Sequence, residues 1–237
     1  MGAVYLSVVI PTKDEARRLP GTLEGAVRFL SGTGWEWEVV VADASSPDGT
    51  AEVARQHGAR VVSVPRWACK GENVRAGMLA ACGRWRLMAD ADGATPWEEV
   101  GKLLAACADV AVGRRPFLRP GQPLLRKAAG WAFAALQYPL TGVPDSQCGF
   151  KLFSARAAEE VFRRLGETGF AFDVEAIVLA RRLGFRVVSV PVSWADRDGS
   201  TVTLAKGMRA FGALAGMHLR RAAERLEVGR CPGGSLR

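Results

Sequence analysis

The chain has 237 residues, 49% of them hydrophobic, which is enough to bury a sizeable core. It carries a formal charge of +8 and a pI near 9.7, so nucleic acid, an anionic membrane surface and phosphorylated small molecules are all compatible partners. Other residue types narrow this: His57 and His218 lie far apart in sequence, which argues against a histidine-built metal site, and no helix-turn-helix, zinc-knuckle or RNP pattern is present, so no nucleic acid is expected.

Five cysteines, Cys69, Cys82, Cys107, Cys148 and Cys231, are odd in number and lack C-x-x-C spacing, which fits a reducing cytoplasm. The longest charge-free stretch, 128–144, is broken by Gln137, Pro139 and Gly142 and falls short of the roughly 20 apolar residues that span a bilayer.

Val4 to Ile10 is an apolar, β-branched run ending at Pro11 and reads as a buried strand. A helix follows with Leu19, Leu23, Val27 and Leu30 on one face and Pro20 in its first turn. Glu38 to Ala42 is a second strand that delivers Asp43 into a loop. A short helix to His57 stops at Gly58, Val61 to Val64 is the third strand, and Lys70 to Cys82 is the third helix. Trp85 to Ala89 is a strand, Pro96 to Cys107 a helix, and Val110 to Val112 a strand. This alternation predicts an α/β fold with a mostly parallel central sheet flanked by helices.

The second half begins with a Leu-, Ala-, Trp- and Phe-rich stretch to Leu140. An apolar strand end, Leu152-Phe153, precedes helices over 155–165 and 173–183, and Phe185 to Val192 is the last strand. The terminal helix is predicted to carry Leu204, Met208, Phe211 and Ala215 along one side, with a disordered tail after Val228.

The chemistry concentrates in Asp90-Ala91-Asp92-Gly93-Ala94-Thr95, where an apolar strand ends at two carboxylates. Ligands gather at such strand ends in open α/β sheets. Alternation along an extended segment would put Asp90 and Asp92 on one side, and Thr95 with Glu98 would cap the following helix as a capping box. Two such oxygen ligands suit a hard divalent ion that also binds substrate phosphates; without His or Cys they favour Mg²⁺ or Mn²⁺ over zinc. The alternative is an acidic turn at a strand end. Asp43 and Asp145 carry the same pair of readings, functional carboxylate or turn residue.

Several stretches match one family. Val8-Val9-Ile10-Pro11-Thr12-Lys13-Asp14-Glu15 resembles V-x-I-P-T-x-N-E of family-two inverting glycosyltransferases with the GT-A fold. The run from Val41 to Thr50 is similar to their V-D-D-G-S-x-D-G-T, and Lys70 to Gly77 to K-G-x-A-V-R-x-G. The D-A-D-G-A-T stretch and Asp145-Ser146-Gln147-Cys148-Gly149-Phe150-Lys151 resemble most closely the dolichyl/polyprenyl-phosphate β-glucosyltransferase branch, with dolichyl-phosphate mannose synthases next. Asp14 stands in place of Asn, Ala42 in place of the first of two aspartates, and Ala44 in place of Gly. Arg197-Asp198-Gly199-Ser200-Thr201 approximates R-x-x-G-x-S-K without the lysine.

The resemblance implies transfer of a hexose, glucose first, from a nucleotide-diphospho-sugar to a polyprenyl phosphate. The same fold acting on a soluble acceptor, such as a phosphorylated small molecule, or on a growing polysaccharide is the alternative. It implies that Asp92 binds the ion and that Asp90, also a candidate ligand, leans towards the ribose. Asp43 takes the nucleobase imide, Pro11 and Thr12 line the base, Glu15 the ribose end, and Lys70 the diphosphate. Asp145 is the implied active-site carboxylate; Gln147 and Lys151 approach donor sugar or acceptor phosphate.

Arg114, Arg115, Arg119, Arg126 and Lys127 precede the Trp131/Phe133/Leu136 stretch, and Arg197 lies in the late loop. A basic cluster beside an apolar segment suits a helix lying in a membrane interface, or else a core helix with basic flanks. The expected organisation is a single GT-A catalytic domain over 1–228. Segments 117–140 and 203–225 are its interface helices, and 229–237 is a flexible tail. The expected setting is the cytoplasm, peripherally on the inner face of the membrane.

Overall fold

A computed structural model of the chain describes residues 3–116, 124–195 and 204–228, with only the helical backbone of 124–127, 204–206 and 222–228. Arg119, Arg197 and the tail therefore lie outside the described residues, as do the side chains of Arg126 and Lys127.

The strands are β1 (Leu6–Thr12), β2 (Trp37–Asp43), β3 (Arg60–Ser63), β4 (Trp85–Met88), β5 (Val110–Arg114), β6 (Lys151–Ser154) and β7 (Val187–Pro191). The helices are α1 (Leu19–Ser31), α2 (Thr50–Gln56), α3 (Lys70–Ala80), α4 (Val100–Ala105), α5 (Leu124–Thr141), α6 (Ala155–Arg164), α7 (Phe172–Arg182) and α8 (Leu204–Val228). One sheet runs β3-β2-β1-β4-β6-β5-β7. Every pairing is parallel except the two that β6 makes with β4 and β5. The expected mostly parallel sheet is present.

β1 is buried at all seven positions because the sheet is covered on both faces. Alternate residues part company: Val8 and Ile10 join a core with Leu19, Leu23 and Trp97, whereas Val9 joins Val74, Met78, Phe153 and Phe162 on the other face. Gly77 lets α3 settle on the sheet, since a Cβ there would fall 2.5 Å from Val9 Cγ1.

β6 decides where the site forms. In an all-parallel sheet only loops that follow strands open at the carboxyl edge. By running backwards, β6 presents there the loop that precedes it, 145–150. Lys151 pairs with Met88 on one side and Val112 on the other.

Two local expectations change. After β4 the chain turns at once instead of staying extended, and the next helix opens as a 3₁₀ turn, Trp97–Glu99, with Pro96 at its cap and no side-chain cap bond. The Thr95/Glu98 capping box does not form. Asp92 supplies the local bond instead, its Oδ1 accepting the Ala94 N–H at 3.0 Å. In α8 the buried side is Ala210, Leu214 and Met217, which pack with Phe133 and Leu140 of α5 and Val174 of α7. Met208 and Ala215, placed by periodicity on the inner face, are exposed, because contact with both α5 and α7 selects a different stripe.

At the opposite, amino edge, Glu38 fastens β2 to its neighbours. It accepts from Ser7 Oγ and the Cys82 N–H, both at 2.6 Å, and from Arg60 Nη2 at 2.8 Å. Burial alone would raise the Glu38 carboxyl; the Ser7, Cys82 and Arg60 donors outweigh it and hold it below the usual carboxylate range. A depressed folded pKa stabilises above the unfolded value of about 4.3 and is lost as pH falls through the folded value. Denaturant titrations of Glu38→Gln should therefore show a stability deficit at neutral pH that shrinks as pH drops below about 4.

Candidate active site

The turn at the carboxyl end of β4 and the loop before β6 meet over one cleft. Its wall includes Asp90, Asp92, Gly93, Gly149, Phe150 and Trp194. Thr22 of α1 holds the Asp-Ala-Asp turn from below, its Oγ1 donating to Ala91 O at 2.7 Å. Gly93 closes that turn with φ +61°, a conformation that costs glycine little.

Asp90 and Asp92 both reach the cleft. Lys70, the first residue of α3, donates from Nζ to Asp90 Oδ1 at 2.8 Å. Gly149 packs directly against the Asp90 carboxylate, and a Cβ at this position would overlap it. Burial would raise Asp90, but Lys70, with Lys151 and Arg115 further away, holds it below the usual range. Burial would likewise lower Lys70, and Asp90 followed by Asp173 holds it raised. Asp92 has no cation within ion-pair distance among the described residues, although Arg18 is near enough to feel both aspartates.

Asp145 is gripped by Arg115. The Arg115 N–H and Nε donate to Oδ2 at 3.1 and 2.8 Å, and Nη2 to Oδ1 at 2.7 Å. The guanidinium also lies 5.8 Å from the Trp194 ring centroid. Trp194 is held at the cleft by its neighbour, since the Ala195 N–H donates to Ala94 O at 2.9 Å. Arg114 is exposed, and Gln147, half-buried, reaches Phe170 O at 3.5 Å. Burial among these groups pushes the Cys148 thiol up to about 11.

Lys151 differs from its expected place at a ligand. It is 1% exposed, and its ammonium is held by Cys148 O at 2.5 Å and by the buried carboxylate of Asp173. A lysine on a strand buried on both faces needs a counter-charge, and Asp173 on α7 provides one. Burial in turn pushes the Asp173 carboxyl up, against the pull of Lys151 and Lys70.

At the nucleotide end expected from sequence, Pro11 and Thr12 are buried, and Asp43 is 1% exposed. Asp43 accepts from Thr12 Oγ1 at 3.0 Å and from the Ser46 hydroxyl and N–H at 2.7 and 2.8 Å. Three of a carboxylate's roughly four acceptor sites are thus filled, so the strand-end turn reading describes its present bonding. Asp14 has φ +58°, which Asp and Asn tolerate best, and this explains a substitution between those two residues. Glu15 pairs with Arg18 at 2.5 Å. Asn73 donates to Thr12 O at 3.0 Å while its own Oδ1 is buried without a partner.

The sequence pattern of Glycosyl transferase family 2 matches residues 7–162, the segment that builds β1 to β6 and both acidic loops. The chain belongs to that family. It is a glycosyltransferase with a GT-A-like fold. Its relatives include dolichyl-phosphate beta-glucosyltransferases of Drosophila melanogaster, 36% identical over 85% of this chain and 70% of that one, and of Homo sapiens, 32% identical over 82% and 68%. Among solved structures it resembles mannosyl-3-phosphoglycerate synthase from Rubrobacter xylanophilus, at 21% identity, covering 99% of this chain and 79% of that one with a TM-score of 0.69. It also resembles glucosyl-3-phosphoglycerate synthase from Mycobacterium tuberculosis in complex with Mn²⁺, uridine-diphosphate and glucosyl-3-phosphoglycerate. That match is 20% identical over 90% and 79% of the two chains, also with a TM-score of 0.69.

Arg18, Arg115's grip on Asp145, Asp173 and the buttressing Gly149 were missed as site features in the sequence. Only Gly149 had a local signal, its place inside D-S-Q-C-G-F-K. Gly149→Ala should lower stability by about 1–3 kcal/mol through overpacking and displace Asp90. The check is a denaturation curve alongside glycosyl-transfer assays, with transfer falling further than stability explains.

Proposed function

We propose that this glycosyltransferase moves a hexose, glucose first, with inversion from a nucleotide-diphospho-sugar to a polyprenyl (dolichyl-type) phosphate. The observation that carries the reading is the docking of the Asp145–Phe150 loop onto the Asp90–Asp92 turn. It joins the two motifs most like those of the dolichyl-phosphate glucosyltransferases, and the relatives' names supply the substrate class.

The donor set fits Mg²⁺ or Mn²⁺. Asp90 and Asp92 offer hard oxygens on one cleft wall. Among the described residues no group of three or more His, Cys, Asp or Glu side chains is placed to hold a metal, so substrate phosphates and water would complete the shell. Such an ion neutralises the departing diphosphate as a Lewis acid. Asp92 is its principal protein ligand in this reading, with Asp90 beside it, and Lys70 turns to the diphosphate. Pro11, Thr12 and Glu15 border the nucleoside, and Asp43 reaches a base only by exchanging one of its present bonds. Arg114, Arg126, Gln147 and Arg197 remain the proposed acceptor side, whereas Lys151 acts from beneath by holding Asp173.

The Arg115–Asp145 pair favours a phosphate acceptor over a hydroxyl. A monoester phosphate has a second pKa of about 6 and is largely ionised at neutral pH, so it needs no base. A hydroxyl would need one, and a carboxylate gripped by a guanidinium is a weak base. Asp145 then serves chiefly to aim Arg115.

The lipid substrate also suits the outer surface. Trp131, Leu136 and Tyr138 of α5 are 47%, 47% and 53% exposed, and Leu219 of α8 is 72% exposed near Arg220 and Arg221. Among the described residues no helix is long and apolar enough to cross a membrane. An apolar face with a basic rim lies at an anionic surface, each charge contributing about 1 kcal/mol.

With Mg²⁺ or Mn²⁺, the protein should transfer glucose from UDP-glucose to a polyprenyl phosphate, scored as radiolabelled lipid product. Asp92→Ala should reduce turnover by about a hundredfold or more; unchanged turnover would refute the metal assignment. In a separate assay, the protein should sediment with anionic vesicles at low salt and release at high salt. Lack of binding at low salt, with transfer to a water-soluble acceptor, would favour the polysaccharide-type alternative.

A further inference from the structure

The cations around the cleft are already engaged. Lys70 meets Asp90, Lys151 meets Asp173, Arg115 meets Asp145 and Arg18 meets Glu15. Asp92 alone among these carboxylates has no cation within ion-pair distance among the described residues. A divalent ion arriving without nucleotide therefore meets one unmatched carboxylate and an ammonium seated on the other.

Asp90 is bordered on two sides. The Gly149 backbone lies against its Oδ2, and Lys70 occupies its Oδ1. Lys70, by contrast, has a movable stem on a fixed base. The N-terminus of α3 is fastened by the Gly71 N–H to Thr168 O at 2.8 Å and by the Cys69 N–H to Glu72 Oε2 at 2.8 Å. Its side chain retains 28% exposure, so the amine can swing while the helix stays in place.

We propose that Lys70 gates the divalent-ion site, holding Asp90 until a nucleoside diphosphate draws its ammonium away, so that metal and nucleotide enter together. This rests on the metal-dependent glycosyl-transfer reading above and adds to it the order in which metal and nucleotide bind. The exchange conserves charge pairing: the ammonium moves from carboxylate to phosphate oxygen, and the ion takes the carboxylate it leaves. Reciprocity requires that the ion tighten nucleotide binding by the same factor that the nucleotide tightens ion binding.

The test is Mn²⁺ titration of the full chain, read by the electron paramagnetic resonance signal of the free ion, with and without UDP. Lys70→Met should tighten Mn²⁺ binding in the absence of UDP by about tenfold and shrink the tightening due to UDP. Lys70→Gln, which keeps a hydrogen-bond donor without the charge, covers the case in which the apolar side chain disturbs folding and should act in the same direction. Lys13→Met removes a charge whose amine is bonded to Arg66 O and should leave Mn²⁺ binding within about twofold.

Mn²⁺ affinity without UDP that is unchanged in both Lys70 variants, while UDP still promotes binding, overturns the gate and leaves the enzyme reading standing. An equal gain in Lys13→Met overturns it too, because net charge alone would then explain the effect. Absence of Mn²⁺ binding with UDP in every protein would instead sink the metal-dependent reading itself.

Discussion

Asp90 sits between the Gly149 backbone and the Lys70 ammonium, and that confinement depends on one strand running against its neighbours. Were β6 parallel to β4, the loop before it would open at the far edge of the sheet. Lys70 would then have an aspartate to bind, but nothing would press that aspartate from behind. The reversal brings residues 145–150 against residues 89–95, and both acidic loops come to share a wall. It also places Lys151 in the sheet interior, where its charge must be answered.

That answer spreads through the site. Lys151 requires Asp173, and α7 supplies it from its first turn. Asp173 also helps to hold Lys70 charged, so α7 touches the electrostatics of a cleft that it does not line. Buried ion pairs add little net stability, because desolvation offsets attraction, but losing one partner strands a charge and is costly. Their value here is geometric. Paired charges fix where the carboxylates point while leaving Asp92 unmatched.

The lipid side of the proposed reaction connects to the same loop. α5 ends at Thr141, and Gln137 within it donates to Val143 O at 2.8 Å, which ties the helix to the chain entering Asp145. A helix resting on a membrane would thus be joined to the Arg115–Asp145 pair through a few hydrogen-bonded residues. α8 braces it through Arg221 to Pro139 O at 2.6 Å and His218 to Leu136 O at 2.8 Å. α5, α7 and α8 pack as one unit around Phe133, Leu140, Val174 and Leu214.

What could be read from the chain alone was local. Apolar β-branched runs marked the strands, glycines marked helix ends, and the spacing of Asp90, Asp92 and Asp145 within their motifs marked the acidic loops and the family. Tertiary structure decided what depends on groups distant in sequence: Lys70 meets Asp90 across 20 positions, Lys151 meets Asp173 across 22 and Arg115 meets Asp145 across 30. It decided which stripe of α8 faces inward, because two helices compete for that face. It moved Lys151 from the cleft to the interior and showed Asp43 bonded to Thr12 and Ser46. No periodicity carries such information, since a charge is matched by whatever the fold brings within a few ångströms, and the direction of β6 settles this for Lys151 and Asp145.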